Sequence, residues 1–198
     1  MELSYTLHLP TQAGSSLVAK SPDPRVLISN SGGRTPEQNK TTGENRKMAK
    51  VCLLKGRNFR EVYAVERPVG PGCVNQRDDV QLVQLLLKIA TETRGDSAGF
   101  QPPGEPMIEP DGFFGPRTQK YIKYFQDEVD RRQNRKLVER DSVVDPVRTG
   151  ASRSSITNTM YTILALNAAM RTRRGDAFQI ENEPKFPTEL MSSLFVAW

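Results

Sequence analysis

The chain opens with a two-residue alternation. Leu3, Tyr5, Leu7 and Leu9 fall on one side and Ser4, Thr6 and His8 on the other, the period of a β-strand. From residue 10 to 47 the apolar positions thin out to Val26-Leu27-Ile28 among Ser, Pro, Gly, Asn, Thr and charged residues. Such a stretch buries too little apolar surface to offset the entropy of ordering it, so residues 1–47 are predicted to be an extended arm with short strands. Residues 48–66 predict a β-hairpin. Val51 to Leu54 form one apolar run, Phe59, Tyr63 and Val65 share a face of the next, and Lys55-Gly56-Arg57-Asn58 supplies the turn. Pro68-Val69-Gly70-Pro71-Gly72 then ends this hairpin-and-linker segment, 48–72.

Beyond it the period lengthens. Val80, Val83, Leu86, Leu87 and Ala90 fall on one helical face within residues 75–92, with Asn75 as the cap and Asp78 beside the positive helix end. Thr93 to Pro110 holds four prolines and three glycines and reads as a loop. Asp111 to Gly115 reads as a turn, Pro116 suits the first helical position, and the helix it opens extends to about Asn134, with Ile122, Phe125 and Val129 inward. After a polar stretch with an apolar island at Val143-Val144, a third helix is predicted over about Ser155 to Arg173. Its stripe is Ile156, Met160, Ile163, Leu164, Asn167 and Met170, with Gly175 as its left-handed end. The last segment, 176–198, is too apolar at Leu190 to Trp198 to remain free, so it is predicted to dock on the domain or a partner.

Composition narrows the picture. The 198 residues are only 36% hydrophobic, which predicts a small core with length left over for extended segments. Lys and Arg outnumber Asp and Glu by 28 to 23, a net charge of +5. That favours anionic partners mildly, and a solvated basic surface accounts for it as well. Cys52 and Cys73 do not make a disulfide framework or a C-x-x-C motif; two buried free thiols are expected, with pairing left open. The first residues carry no Sec-type signal and no window is apolar enough to span a membrane. Synthesis in the cytoplasm is expected, with association to a virion, an injection machine or, by another route, the cell envelope.

Two stretches together carry a family likeness. Asp79-Val80-Gln81-Leu82-Val83-Gln84-Leu85-Leu86-Leu87 precedes Asp111-Gly112-Phe113-Phe114-Gly115-Pro116-Arg117-Thr118, and the following helix reaches Phe125-Gln126. Residues 74 to about 173 thereby resemble the peptidoglycan-binding domain family, whose pattern pairs a D-V-x-x-L-Q helix with a D-G-x-F-G-P-x-T turn and an F-Q helix. The resemblance implies a mainly α fold: a three-helix peptidoglycan-binding-like bundle over 73–175, with an N-terminal extended arm and a β-hairpin. It also implies ligand contacts at Asp111, Gly112, Phe114, Gly115, Arg117, Thr118 and Tyr121. Val144-Asp145-Pro146-Val147-Arg148-Thr149 is read as a decayed second copy of the turn, lacking its glycines. The motif has a physical reading of its own. Asp-Gly makes a tight turn, both phenylalanines point into the core, Gly115 lets backbone approach closely, and N–H groups near the helix start face a ligand.

Chemistry is sparse. The one histidine, His8, cannot assemble a zinc site by itself. Glu105, Glu109 and Asp111 sit on a Pro-rich loop and read as solvated acids, and no phosphate-binding glycine motif is present. No enzyme activity, cofactor or metal is expected, nor nucleic acid as a partner, although the basic second helix with Tyr121 and Tyr124 could stack on bases or sugars. The expected function is non-catalytic binding of peptidoglycan or a related cell-wall glycan. The alternative is a structural subunit of a phage tail, baseplate or contractile injection assembly, gripping other subunits through the arm and the C-terminal tail.

Overall fold

The computed structural model describes residues 49–54, 60–95, 98–147 and 151–194. All of them belong to one compact unit, Gly43–Trp198. The predicted N-terminal strand, the arm, His8 and the hairpin turn with Phe59 lie outside the described residues. The chain is mainly α with a small antiparallel sheet: β1 (Lys50–Leu54), β2 (Arg60–Ala64), α1 (Arg77–Thr91), α2 (Pro116–Gln133), α3 (Thr162–Arg174), a 3-10 turn (Ile180–Asn182) and α4 (Thr188–Leu194). Among the described residues no helix is long and apolar enough to cross a membrane.

α1 is the centre of the packing. The predicted stripe is buried, and so are Leu82, Leu85 and Ile89 on the remaining faces. A helix apolar on all sides must be enclosed on all sides. α2, α3 and α4 pack on it, and the loop after it folds back, burying Phe100 and Ile108. Each of its large side chains contributes about 1.5–3 kcal/mol by leaving water.

The start of α1 differs from the expectation. Gln76, not Asn75, occupies the cap position, and no side chain caps it. Asn75 is left-handed at φ 52°. Its amide closes the preceding turn instead, bonding Gly70 N–H at 2.9 Å, Gly70 O at 2.9 Å and Cys73 O at 3.0 Å. Asp79 is fully buried, and its carboxylate accepts the N–H groups of Glu66 at 2.8 Å and Arg67 at 2.9 Å. That contact ties the end of the hairpin to the first turn of α1.

α2 begins at Pro116 as predicted and ends on left-handed Asn134. Ile122, Phe125 and Val129 are buried. α3 begins at Thr162, well after the predicted Ser155, although its basic end and Gly175 stand where expected. Ser154 accounts for the delay. Its hydroxyl accepts the N–H of Ile156 at 3.2 Å and of Thr157 at 3.4 Å, and Asn158 turns left-handed at φ 56°. Ser, Thr and Asn side chains that satisfy nearby backbone compete with helix. Ile156, assigned to the inner stripe, is 86% exposed.

The described part of the apolar C-terminal segment docks within α4, burying Leu190 and Leu194, and residues 195–198 lie outside the described residues. Ser193 donates to Asp78 at 2.7 Å, and Gln81 donates to Glu189 at 3.0 Å. Cys52 and Cys73 are both free and only half-buried. Burial raises the thiol pKa of each.

Candidate functional site

The turn 111–118 is built around Gln84, a buried residue of α1. The Gln84 amide nitrogen faces three acceptors: Asp111 Oδ1 at 2.8 Å, Phe113 O at 3.1 Å and Thr118 Oγ1 at 3.1 Å. Its carbonyl accepts the Gly112 N–H at 2.8 Å, and Asp111 Oδ1 also accepts the Phe113 N–H at 2.9 Å. Gly112 is required twice over. Its φ is +76°, and a Cβ there would stand 2.6 Å from Arg77 Cγ.

This geometry redistributes the predicted contacts. Gly112 and Thr118 are buried inside the clamp. Tyr121 is fully buried and its hydroxyl donates to Pro106 O at 2.8 Å; burial raises its pKa. Phe114 is half-buried against the core, while Asp111 and Arg117 are exposed. Phe113 corrects the expectation that both rings turn inward: it is 67% exposed, with the Arg77 guanidinium 5.1 Å from its ring centroid. Gly115 is extended at φ −145° with open space where a Cβ would go, so no close backbone approach depends on it. The N–H groups of Gly112 and Phe113 already have partners, Gln84 of α1 and Asp111 of the turn.

A second clamp matches the first bond for bond. On α2, the amide nitrogen of buried Gln126 faces Asp141 Oδ1 at 3.3 Å, Val143 O at 3.0 Å and Thr162 Oγ1 at 3.1 Å. Its carbonyl accepts the Ser142 N–H at 2.9 Å, and Asp141 Oδ1 accepts the Val143 N–H at 2.9 Å. Ser142 takes the left-handed position at φ 64°. Asp141-Ser142-Val143-Val144-Asp145-Pro146 thus corresponds in place to Asp111 to Pro116. The repeat begins at Asp141, three residues before the segment that suggested it, and its threonine is Thr162 of α3; Thr149 lies outside the described residues. Sequence spacing hides this because the stretch after Pro146 is longer than that after Pro116.

The C-terminal ends of α1, α2 and α3 meet around Phe100. Arg132 lies 3.9 Å and Arg173 5.2 Å from the centre of that ring. Arg174 bridges Glu92 and Glu183, which raises its pKa further. Arg173 is buried; desolvation, with Arg132 and Arg174 adding, lowers it to about 10. These arginines face the negative ends of three helices, which explains the concentration of charge. Elsewhere on α2, Lys120 pairs with Glu105 at 2.7 Å and Lys123 with Asp127 at 3.5 Å, while Arg131 pairs with Glu128 at 2.7 Å. Of the two tyrosines that flank this basic face, Tyr121 is buried and Tyr124 is half-buried. Among the described residues no group of three or more His, Cys, Asp or Glu could hold a metal ion.

No family model, curated protein or solved structure matches this chain. The reading therefore rests on the turn itself. What the turn offers to solvent is Phe113, with the Arg77 guanidinium of α1 beside its ring, and the exposed side chains of Asp111 and Arg117.

Proposed function

We propose that the protein is a non-catalytic binding module of the peptidoglycan-binding type, a three-helix bundle of α1, α2 and α3 that holds a cell-wall glycan against the Phe113 turn. The observation that carries this reading is the exposed Phe113 ring beside the Arg77 guanidinium. An aromatic face covers the apolar face of a pyranose, and arginine matches the carboxylates of a peptide-bearing glycan. Asp111, Gly112, Thr118 and Tyr121 support the bundle, while Phe113, Arg77 and Arg117 meet the ligand. Retention on purified sacculi tests this. The wild-type chain is retained at low salt, and Phe113→Ala combined with Arg117→Ala loses most of that retention without a change in melting temperature. A folded wild-type chain that passes through unretained rejects the reading.

A second reading is favoured by a separate observation: four of the seven candidate ligand residues are committed to internal packing. In that case the module is a rigid subunit of a phage tail, baseplate or injection assembly, with residues 1–47 as the gripping arm. Limited proteolysis of the isolated chain separates the two. Rapid removal of the arm with the helical unit intact supports the subunit reading, and an arm that resists protease in the monomer opposes it.

A further inference from the structure

The two clamps hold the same backbone, but they differ in what lies on top of it. In each, the carbonyl after the left-handed residue is turned inward to a glutamine amide: Phe113 O to Gln84 at 3.1 Å and Val143 O to Gln126 at 3.0 Å. In a trans peptide the N–H points opposite to the C=O of the same plane, and neither of these bonds is cis. The N–H groups of Phe114 and Val144 are therefore both aimed away from the helix that supplies the glutamine.

At the second turn that direction is occupied. Val144 N–H donates to Val69 O at 2.8 Å, and Val144 O accepts the Val69 N–H at 3.0 Å. Val69 thus lies beside Val144 as an antiparallel bridge of one residue, and both side chains are fully buried. The linker then passes directly over the turn. A Cβ on Gly70 would stand 2.8 Å from Val143 Cγ2 and 2.9 Å from Ser142 O, so the backbone approaches too closely for any other residue.

The first turn presents the same backbone without the cover. Among the described residues the N–H and C=O of Phe114 have no hydrogen-bond partner. Phe114 is half-buried where Val144 is fully buried. Phe113, in the place of Val143, is 67% exposed even with the Arg77 guanidinium beside its ring.

We propose that the first turn is a docking site for an extended segment of another protein, an apolar residue followed by glycine, which bonds Phe114 as Val69 bonds Val144 and lays its glycine over Phe113. The linker on the equivalent turn shows the chemistry that fits: paired main-chain bonds supply the attachment, and the missing Cβ permits the approach. Adding a strand to unpaired peptide groups is a general mode of peptide recognition. The ligand here is a peptide and not a sugar, so this inference does not rest on the glycan reading.

The test titrates the full, isotope-labelled chain with the capped hexapeptide Arg-Pro-Val-Gly-Pro-Gly, the sequence of residues 67–72, and follows backbone amides by NMR. Saturable shifts are expected at Phe113 and Phe114, with Ser142 and Val144 unmoved. N-methylvaline in the peptide removes the N–H that Phe114 O accepts and weakens binding about tenfold. Alanine in place of its first glycine weakens binding at least as much. Absence of shifts with millimolar peptide overturns the proposal, as do shifts centred on Val144 or binding that neither change reduces. Soluble disaccharide-peptides from cell wall form the other arm. If they move the Phe114 amide and the hexapeptide does not, the turn takes glycan and the proposal falls. A chain that sacculi do not retain but that shifts with the hexapeptide keeps this proposal and loses the glycan reading.

Discussion

Replacing Gln84 with Leu keeps the volume of the side chain and removes one clamp. The wild-type amide engages Asp111, Phe113 and Thr118 through its nitrogen and the Gly112 N–H through its carbonyl. In the variant the Gly112 N–H is left buried without an acceptor, at a cost of about 1–3 kcal/mol. The Thr118 hydroxyl keeps a long contact to Phe113 O at 3.5 Å, which recovers part of the loss. Asp111 faces solvent and can rehydrate, so its share is small. The sum is about 3 kcal/mol. For a chain of this size that corresponds to a fall in melting temperature of roughly 6–12 °C, followed by circular dichroism or urea titration. Gln84→Glu is more severe at neutral pH, because a carboxylate then stands where the amide nitrogen met Asp111, and acidification relieves it. A Gln84→Leu chain within about 0.5 kcal/mol of wild type would refute the clamp as a source of stability. Equally damaging would be strict additivity with Thr118→Val, because partners in one network are expected to couple by about 0.5–3 kcal/mol.

Other outcomes follow from the same geometry. Gly112→Ala is expected to lose about 2 kcal/mol or more, since φ +76° and the nearby Arg77 side chain both oppose a Cβ; Gly115→Ala, extended and in open space, should be neutral or slightly stabilising in the same melts. Asp79 is an acid raised from 3.8 to about 6, with burial outweighing its two backbone bonds. Its contribution to stability is therefore fully present below the unfolded value and lost as pH rises through about 6. The stability of wild type relative to Asp79→Asn should fall by on the order of 3 kcal/mol between pH 4 and pH 7, and a flat difference in urea titrations would contradict the burial argument. Arg173→Met removes a buried cation whose Nη2 has no acceptor and should change stability by less than about 1 kcal/mol, whereas Arg174→Met strands Glu183 and should cost about 2–3 kcal/mol, as chemical denaturation would show.

The elements that could be read from the sequence are those whose signal is local. The stripe of α1, Pro116 at the head of α2 and the basic end of α3 each follow from periodicity or helix-end chemistry, and each stands in place. The start of α3 was hidden because Ser154 and Asn158 satisfy backbone that a helix would otherwise use, while Ile156 fits a helical stripe by spacing alone. Asn75 looked like a cap and instead closes a turn through Gly70. At the site, the motif residues were visible but their allegiance was not. A glutamine inside a helix reads as surface, and only the folding back of 111–118 onto α1 shows Gln84 in the core. The same holds for Gln126, whose partner Thr162 is far along the chain. Arg77 stood outside every motif, and nothing in its local sequence announces that it covers Phe113.

The paired clamps also bear on how the molecule opens. Surface turns ordinarily open alone, and their amide protons exchange with solvent long before those of the helices. Here the amides of Gly112 and Ser142 are held by side chains rooted in the two helices at the centre of the packing. Exchange of these two amides is therefore expected to be slower than that of an ordinary surface turn and to approach that of α1 and α2.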